Sequence, residues 1–413
     1  MIQASCRRPA GLLGVDFIGA PEVIYICPSN LTLLRITSTE VCIKKGLLQA
    51  IFQTQSIACL LKGSRCLCVR VFLYFRGGTL VNNINPVIRA VDVGYGNTKF
   101  IRNIVNGRAE ADHFPSIVNR PSVNKSSFQE SPDIYQVVVN GNRYEVGPGI
   151  DAALEGGVRI MHENYIETED YMALMYGALT QMDVDVIDLL VVGLPVDLMS
   201  SKRSLLEKRL VGSHRVGNRD VQIKKVNAVA QPLGGFLHYA SQAKLLEELS
   251  STRNLLIDPG FFTVDFLVST GLREISGKSG SHPTGMSAYL KAVAKGISED
   301  LSINYDNISH IDEGIRKGRF RLYGQDVDLT KYHQAALTEI MPAVDAISNK
   351  VGDGRSIDQI ILVGGGARIF LDPIKKLLPK HHVHCDEHSV VANVLGFQKI
   401  GEAWYARNHR EVA

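Results

Sequence analysis

The sequence contains no apolar run of the roughly 18 uninterrupted residues that a membrane-spanning helix requires. Its most hydrophobic stretch is broken by Lys44, Lys62, Arg65 and Arg70, so no membrane partner is expected. Cysteine is nearly confined to the beginning: Cys6, Cys27, Cys42, Cys59, Cys66 and Cys68 precede residue 69, and only Cys385 follows. A disulfide framework spreads through the part it staples, so this distribution points to a reduced, cytoplasmic protein. Cys66 and Cys68 lack a second ligand pair at zinc spacing, which argues against a metal site there. Excess positive charge is missing from the main body. Residues 1–84 hold nine of the 45 Lys/Arg and three of the 42 Asp/Glu, which leaves the remainder slightly acidic. A nucleic-acid surface spread over that remainder is not expected. Methionine is absent between Met1 and Met161.

The chain has 413 residues, 45% of them hydrophobic and 21% charged, enough for two moderate cores. Residues 1–84 show neither sustained strand alternation nor a helical stripe. They are expected to be an anomalous extension, disordered or translated from a start assigned too early, with Leu80 or Val81 as alternative starts. A targeting segment is the other reading. Arg7 and Arg8 ahead of an apolar run mimic a signal peptide, but Asp16 interrupts that run.

Legible periodicity begins at Val87. A strand over 87–93 meets a glycine turn and returns over 99–105, residues 113–118 supply a third strand, and 135–139 with 144–146 form a hairpin around Asn140, Gly141 and Asn142. Thr168 is a candidate N-cap for a helix running to about Met182, in which Tyr171, Met172, Leu174 and Met175 read as core. A strand over 187–196, a helix over 200–210, a strand over 221–226 and a helix from Gln231 follow. Lys202, Arg203, Lys208 and Arg209 read as a solvated helix face. A β-meander followed by alternating helix and strand is the layout of a ribonuclease H-like layer. The second half repeats it: strands at 255–258 and 263–269, helices at 283–302, 310–317 and 332–351, a strand at 360–363, and helices at 368–378 and 391–407. Two similar halves imply a cleft between them. The expected fold is therefore α/β, with domain I over 85–245 completed by 388–413 and domain II over 246–387.

Two turns in this layout carry the same chemistry. Asp92 closes a strand and heads Val93-Gly94-Tyr95-Gly96-Asn97-Thr98-Lys99. Glycines let backbone approach a phosphate, exposed N–H groups of the turn can face its oxygens, and Thr98 and Lys99 add a hydroxyl and a cation. A structural hairpin has the same signature. Asp258 heads a second such turn, Pro259-Gly260-Phe261-Phe262-Thr263-Val264-Asp265. Two copies, each opening the first hairpin of one half, favour a β,γ-phosphate clamp with donors on both walls of a cleft. A third cluster, Gly364-Gly365-Gly366-Ala367, follows a buried strand and opens a helix, where a flat base can pack on backbone near an electropositive helix terminus. A plain strand-to-helix turn also fits it. It lacks the dinucleotide-binding spacing, and no Gly-Lys-Ser/Thr phosphate loop follows a strand anywhere in the chain.

These three segments resemble the phosphate-1, phosphate-2 and adenosine motifs of the superfamily of actin, the DnaK-type chaperones and the sugar kinases. Val-Ala-Gln-Pro-Leu-Gly-Gly (229–235) and Ala-Asn-Val-Leu-Gly-Phe (392–397) resemble its two connecting helices. Within the superfamily the sequence is most similar to the ParM/StbA plasmid-segregation actins, and in particular to the plasmid-borne group called PRTRC system protein D. The resemblance spans about 85–405. It implies an actin-like fold and a cleft for ATP/ADP with Mg2+, in which Asp92 and Asp258 order the metal's water shell. Gly94, Gly96, Asn97, Thr98, Lys99, Gly260 and Thr263 hold phosphates, and Gly364, Gly365 and Gly366 receive the adenosine. Gln231 falls where the family orients the attacking water. Glutamine positions water but cannot take its proton, so slow conversion of ATP to ADP and phosphate is expected, coupled to a conformational cycle. Phe261 and Phe262 depart from the family, which favours small residues there.

The implied role is a polymerising ATPase that segregates a plasmid, self-associating into filaments and working with a DNA-binding adaptor. The alternatives are a non-polymerising ATP-dependent regulator or scaffold and, since no aspartate stands out as a substrate base, less readily a small-molecule kinase. His381, His382, His384 and His388 cluster late in the chain and read as a solvated turn rather than a metal site.

Overall fold

The computed structural model describes residues 86–120, 133–150, 164–275, 277–385 and 389–409, together with four strands within 13–69. Those four form two antiparallel pairs, β1 (Leu13–Asp16) with β2 (Val23–Ile26) and β3 (Ala58–Lys62) with β4 (Arg65–Val69). Strands of four or five residues are too short to betray themselves by alternation. The rest of 1–84, including the alternative starts at Leu80 and Val81, lies outside the described residues.

From residue 85 the chain forms its own compact unit. β5 (Ile88–Val93) pairs antiparallel with β6 (Asn97–Val105), and β6 with β7 (Arg108–Pro115). β8 (Tyr135–Val139) and β9 (Asn142–Val146) form the expected hairpin. Its turn residues Asn140 and Gly141 have φ of 50° and 86°, the pair of positive angles that a tight hairpin turn requires. Helix α1 (Glu169–Gln181) is capped by Thr168, whose side chain accepts from the Tyr171 N–H at 3.1 Å. After β10 (Val186–Ile187), β11 (Leu189–Leu194) joins β5 in parallel. Helix α2 (Met199–Leu210) and the hairpin of β12 (Gly212–Val216) and β13 (Arg219–Ile223) lead to β14 (Val226–Ala230), parallel to β11.

The strand order in this first sheet is β14-β11-β5-β6-β7. Every residue of β5 and β11 is buried, because helices cover both faces, and such strands read as continuous apolar runs. Tyr171, Met172, Leu174 and Met175 of α1 are buried against one face with Val91 and Phe100, as their spacing implies. The basic face of α2 is less solvated than expected. Arg209 reaches back to the carbonyls of Ile166 and Thr168, the latter at 2.9 Å, and so anchors the segment that starts α1.

Helix α3 (Gln231–Gln242) and the short α4 (Leu246–Ser251) lead into the second sheet. β15 (Arg253–Pro259) pairs antiparallel with β16 (Val264–Thr270), which in turn pairs with β17 (Arg273–Glu274) and β18 (Gly280–His282). β21 (Gln359–Leu362) lies parallel to β15, and β22 (Val383–Cys385) to β21. The order β17-β16-β15-β21-β22 repeats the first sheet, a three-strand meander followed by two parallel strands. Each half is thus ribonuclease H-like. Between β18 and β21 run α5 (Met286–Leu301), α6 (Ile308–Lys317), the two-residue strands β19 (Arg321–Leu322) and β20 (Gln325–Asp326), α7 (His333–Thr338) and α8 (Met341–Val351). The single helix expected over 332–351 breaks ahead of Pro342, which has no N–H to give the preceding turn. Helix α9 (Ala367–Leu377) follows β21, and α10 (Ala392–His409) closes the described chain.

Helices α3 and α10 join the halves. Phe236 and Ala240 of α3 pack with Leu256, Leu267 and Ile361 of the second sheet. Val394 and Phe397 of α10 pack with Ala90, Leu189 and Val191 of the first. The two helices meet through glycine: a Cβ on Gly396 would lie 1.8 Å from the Gly234 carbonyl oxygen, so only bare backbone permits the approach.

Candidate functional site

The parallel repeats bring the three glycine turns to one cavity. Its walls are Gly94, Tyr95, Gly96, Asn97 and Lys99 from the first turn, and Asp258, Gly260, Phe261 and Thr263 from the second. Gly365 and Gly366 of the third cluster and Gln231 at the start of α3 line it too. Three other nominated residues do not line this space: Asp92, Thr98 and Gly364 stand behind it. Thr98 is fully buried, with its hydroxyl 2.9 Å from that of Ser116. The side chain expected to meet phosphate is therefore turned into the β6–β7 junction. Ser116 Oγ also donates to the Gly94 carbonyl at 2.5 Å and its N–H to the Gly96 carbonyl at 2.9 Å, which fixes the shape of the turn.

Asp92 is fully buried. Its Oδ2 accepts from Lys99 Nζ at 2.9 Å and its Oδ1 from Gln231 Nε2 at 2.7 Å. Because an ionised carboxylate only accepts, it selects the amide nitrogen of Gln231 and leaves the glutamine carbonyl oxygen toward the cavity. That oxygen is an acceptor for a water O–H. A Cβ on Gly193 would lie 2.8 Å from Asp92 Oδ1, so glycine at the end of β11 makes room for the carboxylate. Burial by itself would lower the Lys99 pKa. The fields of Asp92 and Asp258 and the hydrogen bond to Asp92 outweigh it, and the ammonium is held above its ordinary value.

Asp258 is 6% exposed, and its Oδ2 accepts from Asn393 Nδ2 of α10 at 2.6 Å. Burial raises its pKa against the opposing pull of Lys99 and Asn393. Gly364 has φ +83°, and a Cβ there would fall 1.8 Å from Asp258 Oδ1. Both the left-handed backbone and the carboxylate thus demand glycine.

Asp265, at the end of the second turn's motif, was not nominated from the sequence. It is 2% exposed and borders the cavity. Its Oδ1 accepts from the Val196 N–H at 2.8 Å and the Ser281 hydroxyl at 2.5 Å, and its Oδ2 from the Thr263 hydroxyl at 2.9 Å. It therefore ties the second turn to the chain leaving β11 in the first half. Burial, only partly offset by these donors, raises its pKa to about 7. Asn393, Asp312 and Arg316 also line the cavity and were not nominated. Asp312 and Arg316 form an i,i+4 ion pair at 3.1 Å on α6. Asn393 and Asp265 lie inside motifs visible in the sequence, whereas Asp312 and Arg316 sit on α6, outside every phosphate-like turn.

The residues fit a magnesium ion held through water better than one ligated directly. Among the described residues no group of three or more His, Cys, Asp or Glu is placed to hold a metal. Asp258 presents a buried carboxylate on the cavity wall, while both oxygens of Asp92 are engaged by Lys99 and Gln231 behind it. Magnesium characteristically keeps several waters. Two of the clustered histidines are engaged by protein, while His382 is exposed. His384 bonds Tyr239 Oη at 2.7 Å and Gln359 Oε1 at 3.0 Å, and His381 Nε2 contacts the carbonyls of Gly354 and Ile357 at 3.1 and 3.2 Å. His388 lies outside the described residues.

Two family models match the chain: the N-terminal domain of actin-like proteins over residues 90–234, and the C-terminal domain of the archaeal, MreB-like actin homologue over 256–376. The chain belongs to the actin-like superfamily. Solved structures with this actin-like fold include a non-polymerisable quadruple mutant of pCBH ParM, at 20% identity and a TM-score of 0.61 over 77% of this chain and 100% of that one. An archaeal actin homologue in complex with ADP matches at 17% identity and a TM-score of 0.61, over 77% of this chain and 99% of that one. A ParM from a 15-stranded filament of Clostridium botulinum matches at 19% and 0.61, over 78% and 100%. At these identities the likeness is one of fold. No curated protein matches the sequence. Among the described residues, no helix of this actin-like chain is long and apolar enough to cross a membrane.

Proposed function

We propose that this actin-like protein binds ATP with Mg2+ in the cavity between its halves, hydrolyses it slowly, and uses the nucleotide state to control self-assembly during plasmid segregation. The observation that carries the reading is the convergence of two aspartate-headed turns, the triple glycine and the Gln231 amide on one cavity. Each alone is a common structural turn.

In this reading the backbone of 94–97 and 260–263 and the Lys99 ammonium grip the phosphates. Gly365 gives an open surface for the adenosine, since nothing lies within 4 Å of a Cβ built there, and Met286 and Arg316 line the same cavity. Asp258, with Asp92 behind it, would hold magnesium through its waters, and the bound ion would neutralise phosphate charge. Gln231 Oε1 orients a water for attack without removing its proton, which leaves hydrolysis slow. Filament-forming and ADP-bound relatives of the same fold support assembly and an adenine nucleotide. The motif resemblance supports the narrower placement with PRTRC system protein D, a bacterial cytoplasmic role, and a plasmid DNA-binding adaptor as partner.

Phosphate release and right-angle light scattering, measured with ATP and with ADP on wild type, Asp92→Ala and Asp258→Ala, test this. The expected outcome is ATP-dependent scattering and slow turnover in wild type, with turnover lost in both variants. Turnover with a flat scattering trace points instead to a non-polymerising regulator. Undiminished turnover in either variant overturns the site.

A further inference from the structure

The second phosphate turn carries Phe261 and Phe262 where bulk costs most, and the two rings do different things. Phe262 packs at the end of a run of rings, its centroid 4.9 Å from that of Tyr95, which stacks on Tyr165 at 5.0 Å, itself edge-on to Tyr171 at 5.5 Å in the core of the first half. Phe261 sits directly on the first turn. A Cβ on Gly96 would lie 2.8 Å from Phe261 Cβ and 3.2 Å from its Cγ. Gly96 is not among the glycines with positive φ, so its backbone does not demand glycine. The contact with Phe261 does.

The backbone beneath Phe261 has no slack. The N-terminal N–H groups of α5 and Gly285 bond its carbonyls: Met286 to Gly260 at 2.9 Å, Ser287 to Phe261 at 2.7 Å and Gly285 to Phe262 at 2.8 Å. A Cβ on Gly285 would meet the Gly260 and Phe261 carbonyl oxygens at 2.6 and 2.8 Å. The turn is therefore fixed to α5, and the Phe261 ring leaves Gly96 only by side-chain rotation or by parting of the two halves. Phe261 also borders a second cavity, toward Pro148 and Gly149 on one side and His310, Glu313 and Lys317 on the other. It partitions the cleft.

We propose that Phe261 is a gate: its ring occupies the gap between the two phosphate turns, and a nucleoside triphosphate enters only after the ring has swung away, so that gate opening limits nucleotide entry. The proposal rests on the nucleotide reading above and adds its regulation. An apolar ring has no favourable interaction with phosphate oxygens, so the occupied and gated states exclude each other. At saturating nucleotide the rate of entry is then set by how often the ring leaves Gly96.

Stopped-flow binding of a fluorescent mant-ATP with Mg2+ to the full chain tests this. In wild type the observed rate should reach a plateau as nucleotide concentration rises. Phe261→Ala should abolish the plateau and speed association at high nucleotide at least tenfold, and the milder Phe261→Leu should fall between. Phe262→Ala, which leaves the ring on Gly96, should keep the plateau. Circular dichroism confirms that each variant is folded, and Phe261→Leu carries the comparison if Phe261→Ala is not. A wild-type rate that climbs linearly with nucleotide and is unchanged by Phe261→Ala, or equal acceleration by Phe262→Ala, overturns the gate while leaving nucleotide binding intact. Absence of binding in wild type and in every variant overturns the nucleotide reading and the gate with it. Binding by Phe261→Ala where wild type shows none supports the gate most strongly.

Discussion

Replacing Asp265 by asparagine should change how stability depends on pH more than it changes stability itself. Asp265 is buried, and its carboxyl titrates near 7 in the folded chain against an ordinary 3.8. Between those values the folded state holds a proton that the unfolded state has released. The folded state is therefore favoured at the acid end, and this group's contribution is lost as pH rises toward 7. The slope is about 1.4 kcal/mol per pH unit inside the window, so between pH 5 and pH 8 the group costs the protein about 2–3 kcal/mol. Asparagine preserves the contacts. Its amide oxygen can accept from Val196 N–H and Ser281 Oγ, and its amide nitrogen can donate to Thr263 Oγ1, while nothing titrates. Urea unfolding of wild type and Asp265→Asn at pH 5, 6, 7 and 8 should show the stability difference moving in favour of the variant by about 2–3 kcal/mol across that range. A difference that stays constant with pH, or moves the other way, refutes the assignment of a protonated buried carboxyl at this position.

Three further outcomes follow from the geometry. Gly364→Ala places a Cβ 1.8 Å from Asp258 Oδ1 at φ +83° and should cost more than roughly 2 kcal/mol in urea unfolding. Gln231→Glu sets a second carboxyl against Asp92, 2.7 Å from where the amide nitrogen stood, and the pair keeps a proton near neutrality. Phosphate release should then fall at pH 7 and recover toward pH 9, and turnover above wild type at pH 7 would contradict the role given to the amide. Thr168→Ala removes the acceptor of the Tyr171 N–H and should destabilise the protein by about 1 kcal/mol, read as a lower urea midpoint with unchanged nucleotide affinity.

Much of the site was legible because its parts are local. Asp92 to Lys99 and Asp258 to Asp265 each combine a strand end, a glycine turn and polar residues within eight positions, and phosphate chemistry needs that combination. What escaped was how these parts meet. Thr98 stands two residues from Gly96 yet its side chain enters the core, because alternation along β6 sends it to the buried face. Asn393 holds Asp258 from 135 positions away, and Gln231 holds Asp92 from 139. Asp312 and Arg316 reach the cavity only because α6 folds over it.

The turn chemistry, the strand and helix periods and the doubled plan of the chain are local properties, set by side-chain alternation and by where glycine frees the backbone, and the sequence by itself determined them. Which carboxylate faces the cavity, which end of Gln231 points at it, and the seating of Phe261 on Gly96 were decided by tertiary structure alone. Each depends on two segments far apart in the sequence approaching within a hydrogen bond or a van der Waals contact, and no local pattern encodes that distance.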